Sequence, residues 1–237
     1  MSKIDRRSFN ILNNNFQAFQ ERMIMNKSLK PIYVISQLNK YEKEYKKLGL
    51  ERGYAGSLFT FANLLEKTGH SDIPGMIYSS LIKMPFLAPN VKEHYVMKAL
   101  EYSRKNGDII HEHARLVDLK ILYKQTKQKH KYKEVLISEE EVLKEICSNF
   151  REAKENFRTY TRGESSIKKY KLELAKTRVD ISKFLMGIDP NKATVLLKKA
   201  HKTFTKYGKY KEADFANLML LQIEERKNQI RNFEQIV

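Results

Sequence analysis

The histidines are the first candidates for chemistry, because His111 and His113 are the only close pair in the chain. Two residues apart on a helix, their side chains point about 200° apart, so they cannot hold one metal ion together. A zinc site on one helix needs histidines four residues apart, as in H-E-x-x-H, and the sequence has no such pair. We therefore interpret both as solvated or packing residues and expect no metal centre.

The single cysteine, Cys147, is the next candidate, because a thiolate is a strong nucleophile. Its surroundings at 145–150, EICSNF, are typical of a helix interior, so a small buried hydrophobe is favoured over a reactive thiol. One cysteine forms no internal disulfide, which fits a reducing compartment. The chain has no glycine-rich phosphate loop and no nucleophile elbow, and Glu139–Glu141 is explained by favourable charge at a helix start. We predict no catalytic residue and no cofactor.

Basic side chains carry the functional signal. Lysine and arginine outnumber aspartate and glutamate by 45 to 28, which gives a net charge of +17. Such a field favours nucleic acid, an anionic membrane or an acidic protein, although a lysine-rich surface can also serve only solubility. At 120–133 lysines alternate with Tyr123 and Tyr132, which suits phosphate contacts and base stacking unless this segment is only a solvated loop. Clusters at 168–178 and 198–202 would form one positive surface if their helices pair.

The elements that position these residues are predicted to be helices. Hydrophobic residues make up 41% of the chain, which favours folding over disorder, and 9 glycines with 5 prolines are too few for the turns of an all-β fold. No apolar run approaches about 18 residues and no signal peptide begins the sequence, so we expect a cytoplasmic protein without a membrane span. Apolar residues at helical spacing predict ten helices, at about 8–25, 31–48, 53–68, 74–84, 90–106, 109–126, 139–161, 164–186, 190–206 and 210–233.

The pair of helices joined by Gly107-Asp108 indicates how the elements pack. Each has one apolar face, and two short helices cannot bury such faces alone, so neighbours of the same kind are expected. Turns at Gly69, Gly107 and Gly208 can be superimposed with their flanking apolar residues, at separations of 38 and 101 residues. This spacing is compatible with a repeat of about 34 residues, although a non-repeating bundle is the alternative.

Two segments carry a more specific pattern. They are MKALEYSRKNGDIIHEHARLVDLKILY at 97–123 and ATVLLKKAHKTFTKYG at 193–208. Both resemble junctions of the tetratricopeptide-repeat family, and the likeness extends over residues 51–136 and 165–225. It implies antiparallel helical hairpins stacked as an all-α solenoid over residues 51–237. Residues 1–50 carry no such likeness, and their two predicted helices are expected to form an N-terminal hairpin that caps or extends the repeat domain.

The resemblance also implies a function: a non-catalytic scaffold that binds a protein or peptide segment, here an acidic one. In the family, the first helix of each pair usually lines the binding face. Nucleic-acid binding through the same basic surface is the alternative, and an enzyme is disfavoured. Together with Lys127 of the lysine-rich segment, the implied partner-binding residues are Asn63, Lys67, Arg115, Lys120, Lys124, Lys169, Lys176 and Arg178.

Overall fold

The secondary structure is helical throughout the part of the chain that the computed structural model describes, residues 6–26, 30–70, 72–149 and 164–234. This confirms the predicted all-α class, and ten helices lie within those ranges. Consecutive helices pack against each other, which is compatible with a helical repeat. The helices are α1 Arg6–Met25, α2 Pro31–Lys47, α3 Glu51–Lys67, α4 Ile73–Leu81, α5 Pro89–Lys105, α6 Ile109–Gln125, α7 Lys129–Ser148, α8 Glu164–Leu185, α9 Pro190–Lys206 and α10 Tyr210–Glu234.

Five of the connections repeat one turn. In each, a residue with positive φ follows the helix, and the N–H of the next residue donates to the carbonyl oxygen five positions back, at 2.9–3.0 Å. This Schellman motif pairs carbonyl groups that the end of a helix would otherwise leave open. The residues with positive φ are Gly49, Gly69, Gly107, Lys127 and Gly208.

The prediction of a helix beginning at residue 139 is wrong. Helix α7 begins at Lys129, ten residues earlier, so Ser138–Glu141 lies in its interior and not at a cap. The lysine-rich segment is therefore the end of α6, a turn at 126–128 and the start of α7. Residues 150–163, which include the predicted end of that helix, lie outside the described part of the chain.

The chain divides into two compact units, residues 1–115 and 116–237. In the first, aromatic rings form much of the core: the Tyr54 ring lies 5.0 Å from Tyr45 and 5.4 Å from Phe16. The buried Tyr54 hydroxyl donates to the Leu38 carbonyl oxygen at 2.7 Å. The proposed division of the chain after residue 50 stays a prediction.

Small residues bring the last three helices together in the second unit. Ala175, Ala193, Ala200 and Ala216 are fully buried in one cluster to which α8, α9 and α10 contribute. Helix α9 contacts both α8 and α10, so one of its faces is committed to this core. That commitment determines which side chains of α9 can point away from the protein.

Candidate functional site

Helix α9 is a well-defined helix of 17 residues. Asp189 caps its start, accepting a hydrogen bond from the Lys192 N–H at 2.9 Å, and Pro190 occupies the first turn. Both features stabilise the start of a helix. The helix ends at Lys206, just before the Schellman turn at Gly208.

The two faces of α9 have opposite character. One face is buried in the core and consists of Ala193, Leu196, Leu197, Ala200 and Phe204. Val195 lies on the opposite, outer side and is 51% exposed. The helix contains no acidic residue. Five exposed lysines surround Val195 on the outer side and define what we call the α9 basic face: Lys192, Lys198, Lys199, Lys202 and Lys206.

The α9 basic face carries an electrostatic cost. Lys198 and Lys202 are four residues apart, as are Lys202 and Lys206, and Lys199 precedes Lys202 by three. Like charges at these spacings destabilise a helix by about 0.2–0.5 kcal/mol per pair. Within the described residues none of the three central lysines, Lys198, Lys199 and Lys202, forms an ion pair that would relieve this repulsion.

The basic surface continues toward the start of α8. The ammonium groups of Lys168 and Lys206 lie 5.7 and 6.0 Å from the centre of the Tyr207 ring. The structure therefore joins one lysine of the second predicted cluster to the end of α9. The half-buried ring is covered by two cations, which is a favourable cation–π arrangement.

The predicted site residues of the first unit have mixed surroundings. Asn63 is half-buried, and its Oδ1 accepts a hydrogen bond from the Tyr78 hydroxyl at 3.0 Å, which links α3 to α4. Lys67 is exposed at the end of α3, and Arg115 is half-buried on α6. The partner-binding role of these residues stays a prediction.

Two of the predicted residues in the second unit belong to a buried ion network. Lys120 of α6 pairs with Glu139 of α7, whose side chain is 0% exposed and also accepts a hydrogen bond from Thr177 at 3.0 Å. Arg178 of α8 pairs with the adjacent Glu140 at 3.1 Å. The network thus links α6, α7 and α8, and it brings Lys120 and Arg178 together on consecutive glutamates.

Sequence reasoning missed the burial of these glutamates because it placed them at a helix start. Their position contained a usable signal, since Leu136 and Leu143 lie on the same helical stripe as Glu139 and Glu140. Acidic residues within an apolar stripe need partners, because an isolated buried charge is very costly. The partners are the basic residues of α6 and α8.

The other four predicted residues are exposed. Lys124 and Lys127 lie at the turn between α6 and α7. Lys169 and Lys176 lie seven residues apart on one face of α8. This face continues to Lys183, whose ammonium group lies 5.5 Å from the centre of the Phe215 ring. Their role in binding stays a prediction.

The tyrosines near the lysine-rich segment are packing residues. Tyr123 is only 5% exposed, with the Lys131 ammonium group 5.4 Å from its ring centre. Tyr132 packs against Phe184 with ring centres 6.0 Å apart, and burial raises the pKa of its hydroxyl. The suggested stacking of bases on these two rings is therefore not supported.

The residues considered for catalysis are half-buried, buried or hydrogen-bonded to a neighbour. Cys147 is half-buried, and burial raises the pKa of its thiol although Lys171 and Arg178 act in the opposite direction. His113 is buried, and the His111 ring bonds to Asp108 at 2.6 Å. Among the described residues, no three or more His, Cys, Asp or Glu side chains lie together in a group that could hold a metal ion.

The groove between α1 and α2 does not include the predicted site residues. This open groove of about 550 Å³ is lined by residues such as Ile11, Tyr41 and Glu44.

Across the described residues, every helix is too short or too polar to cross a membrane. Comparison with known proteins finds no family model and no curated protein that matches the sequence.

Proposed function

We propose that this chain is a non-catalytic adaptor of the tetratricopeptide-like kind, whose α9 basic face binds an acidic segment of a partner protein. The observation that supports this most directly is a surface helix with five exposed lysines and no acidic residue. The opposite, apolar face of α9 is buried in the core, so a rigid scaffold presents these charges. Rigid presentation lowers the entropic cost of binding.

The cost of the α9 basic face also supports a binding role. Repulsion between its lysines lowers the stability of the free protein. Carboxylates of a ligand would remove that repulsion. Natural proteins commonly accept reduced stability at functional sites, which makes such a locally unfavourable arrangement a candidate for function.

The dimensions of the face define the ligand. Lys192 and Lys206 are 14 residues apart, or about 21 Å along a helix. An extended peptide of about six residues covers this length. The exposed Val195 offers an apolar contact between the charges. The expected ligand is therefore an extended acidic segment that contains at least one apolar residue.

Direct binding of a designed peptide tests the proposal. The probe is a fluorescent ten-residue peptide rich in glutamate and aspartate with one central leucine, measured by anisotropy. Replacing Lys198, Lys199 and Lys202 together by alanine should weaken binding about tenfold, because three exposed ion pairs contribute roughly 1.5 kcal/mol. The matched control replaces Lys40, Lys43 and Lys46, three exposed lysines of α2, and should change binding less than about twofold.

Nucleic-acid binding is the competing outcome of the same experiment. A single-stranded DNA of equal charge should bind more weakly than the peptide if the proposal holds. A ligand that contacts phosphates through several lysines loses affinity steeply with salt, with a logarithmic slope of about −0.7 per contact. Tight DNA binding with such a slope, abolished by the α9 substitutions, would replace the adaptor with a nucleic-acid-binding protein.

A pull-down from the native cell extends the test to natural partners. Acidic proteins that remain bound after nuclease treatment, and that are lost with the alanine variant of α9, would support the adaptor. Partners released by nuclease would contradict it.

A further inference from the structure

Helix α10 has two apolar faces. One packs in the core through Ala213, Ala216 and Ile223. On the outer side, three large apolar residues follow each other at intervals of three positions and remain exposed: Phe215 at 48%, Leu218 at 58% and Leu221 at 47%. We call these three residues the α10 outer patch.

Such a helix usually has neighbours on both sides. Single exposed apolar residues are common, but a helix with apolar residues on both sides is typically buried between elements. A contiguous exposed patch of large side chains indicates an interaction surface. In the described part of the chain, no element covers the α10 outer patch enough to bury it.

The charge of α10 makes the patch suitable for self-association. Helix α9 contributes five lysines and no acid, whereas α10 has four basic and five acidic residues and a net charge of −1. Two copies of a chain with a charge of +17 repel each other. That repulsion is weakest where the two copies meet through surfaces of balanced charge, and α10 provides one.

Two of the charges that flank the patch, Lys211 and Glu225, are complementary to each other in an antiparallel pair. Lys211 precedes Leu218 by seven residues and Glu225 follows it by seven, so both lie on the same face as Leu218, about 10.5 Å away on either side. In an antiparallel pair of α10 helices centred on Leu218, Lys211 of each copy is level with Glu225 of the other. Phe215 is likewise level with Leu221. A parallel pair would place like charges together.

From this arrangement we infer that the α10 outer patch is a homodimer interface, in which a second copy of the chain packs its α10 antiparallel to the first. A twofold axis through the contact at Leu218 makes the interface isologous, as in most homodimers. The interface buries the apolar patch at its centre and places two symmetric ion pairs at its rim. It is separate from the α9 basic face, so the dimer and the binding of an acidic ligand can each fail without the other.

Sedimentation equilibrium over a wide range of protein concentration tests the interface. The wild-type chain should reach the mass of a dimer, and Leu218→Asp should remain a monomer at concentrations where the wild type is mostly dimeric. Val195→Asp is the matched control, since it adds the same charge at an exposed apolar position of α9 and should dimerise normally. Circular dichroism checks that both variants remain folded.

Charge reversal tests the orientation of the helices. Lys211→Glu should raise the dimer dissociation constant about tenfold, because two symmetric ion pairs become repulsive. Adding Glu225→Lys to the same chain restores both pairs and should return the constant to within about twofold of the wild type. A wild-type chain that is monomeric at every concentration, a dimer insensitive to Leu218→Asp, or a double variant without recovery would each overturn the inference.

Discussion

Lys127 is the one residue among the five Schellman turns that is not a glycine. Its φ of +57° lies in the left-handed region, as do the φ values of Gly49, Gly69, Gly107 and Gly208. A side chain in this region costs about 1–2 kcal/mol, because Cβ crowds the following carbonyl oxygen. Because this turn contains a lysine where the other four have glycine, the sequence gives no glycine signal for it. This is one reason why the start of α7 was predicted at the wrong residue.

Lys127→Gly should therefore stabilise the protein. We expect a gain of about 0.5–1 kcal/mol in the free energy of unfolding, since relief of the left-handed strain exceeds the added entropy of the unfolded chain. Lys124→Gly is the control, because this exposed lysine lies in the last turn of α6, where glycine should cost about 0.5–1 kcal/mol. Urea denaturation measures both. Equal losses in the two variants would show that position 127 is not strained.

The hydrogen-bonded pair of Asp108 and His111 should make the stability of the folded protein depend on pH. The hydrogen bond from His111 holds the pKa of the Asp108 carboxyl below its ordinary 3.8, and Asp108 raises the pKa of His111 above 6.5. The aspartate contributes stability above pH 3.8 that is lost as the pH falls through its lowered pKa. The histidine contributes stability below pH 6.5 that is lost as the pH rises through its raised pKa. The pair thus contributes most between these values.

An NMR titration of His111 tests this pair. The wild-type pKa should exceed 6.5, and Asp108→Asn should bring it below 6.5, because burial and Arg115 both act to lower it. Asparagine remains a good cap for α6, so the fold is kept. Glu112→Gln is the control, since Glu112 pairs with Arg104 at 2.7 Å, and it should leave the pKa of His111 above 6.5. An unchanged pKa in Asp108→Asn would contradict the pairing.

At the scale of helices, one close contact joins α4 to α5. A Cβ atom added to Gly75 would lie 2.7 Å from Cβ of Tyr102, which is closer than such atoms approach in proteins. The backbone of α4 therefore lies close to the side chain of α5. Gly53 and Gly56 on α3 differ, because no atom lies within 4 Å of a Cβ added there.

Alanine substitutions distinguish these glycines. Gly75→Ala should lower the free energy of unfolding by about 1–3 kcal/mol, because the added methyl group must push two packed helices apart. Gly53→Ala and Gly56→Ala should each raise it by about 0.5–1 kcal/mol through better helix propensity. Thermal and urea denaturation measure the three variants. A stabilising Gly75→Ala would show that α4 and α5 are free to separate at this point.

The ion pair between Lys120 and Glu139 should stabilise the packing of α6 against α7. Lys120→Met leaves the fully buried Glu139 carboxylate without its cation, and we expect a loss of about 3–5 kcal/mol in urea denaturation. Adding Glu139→Leu removes the buried charge and should restore most of the stability. Lys144→Met is the control, since Lys144 is 49% exposed, and should cost less than about 1 kcal/mol. Equal effects at Lys120 and Lys144 would mean that Glu139 is solvated.

Most helices could be predicted from the sequence because local signals mark their ends. Pro31, Pro89 and Pro190 occupy first turns, and Gly69 and Gly208 follow last turns, so the predicted and observed bounds agree within a few residues. Helix α7 lacked such signals. The arrangement of its glutamates with residues of α6 and α8 depends on contacts between helices distant in sequence, which periodicity alone does not specify.

The candidate site was predictable only as a composition. The lysines of α9 were identified as a cluster in the sequence. The fold decides which basic residues lie on the α9 basic face and which form ion pairs with buried glutamates. Lys120, Arg178 and Lys202 all belong to lysine-rich stretches of the sequence. Lys120 nevertheless forms an ion pair with Glu139, and Arg178 forms one with Glu140. Local sequence contains no information on which lysines have acidic partners, and this decides which of them can bind a ligand.

At the scale of the whole molecule, the net charge of +17 attracts any polyanion to some degree. General attraction depends on the total charge, whereas a binding site depends on where the charges lie. A single substitution placed at two equivalent positions separates these effects. Lys202 of α9 and Lys43 of α2 are both exposed and both have lysines three or four residues away in each direction.

Lys202→Glu and Lys43→Glu both lower the net charge from +17 to +15 and should each stabilise their helix by about 0.5–1 kcal/mol, because repulsion is replaced by attraction to neighbouring lysines. Only Lys202→Glu should weaken binding of the acidic peptide, by at least about tenfold, since it places a carboxylate within the α9 basic face. Anisotropy measures binding and urea denaturation measures stability. A binding site on α9 predicts that Lys202→Glu gains stability and loses affinity, whereas Lys43→Glu gains stability and keeps its affinity. Equal losses of affinity in the two variants would mean that the peptide is attracted only by the net charge of the protein.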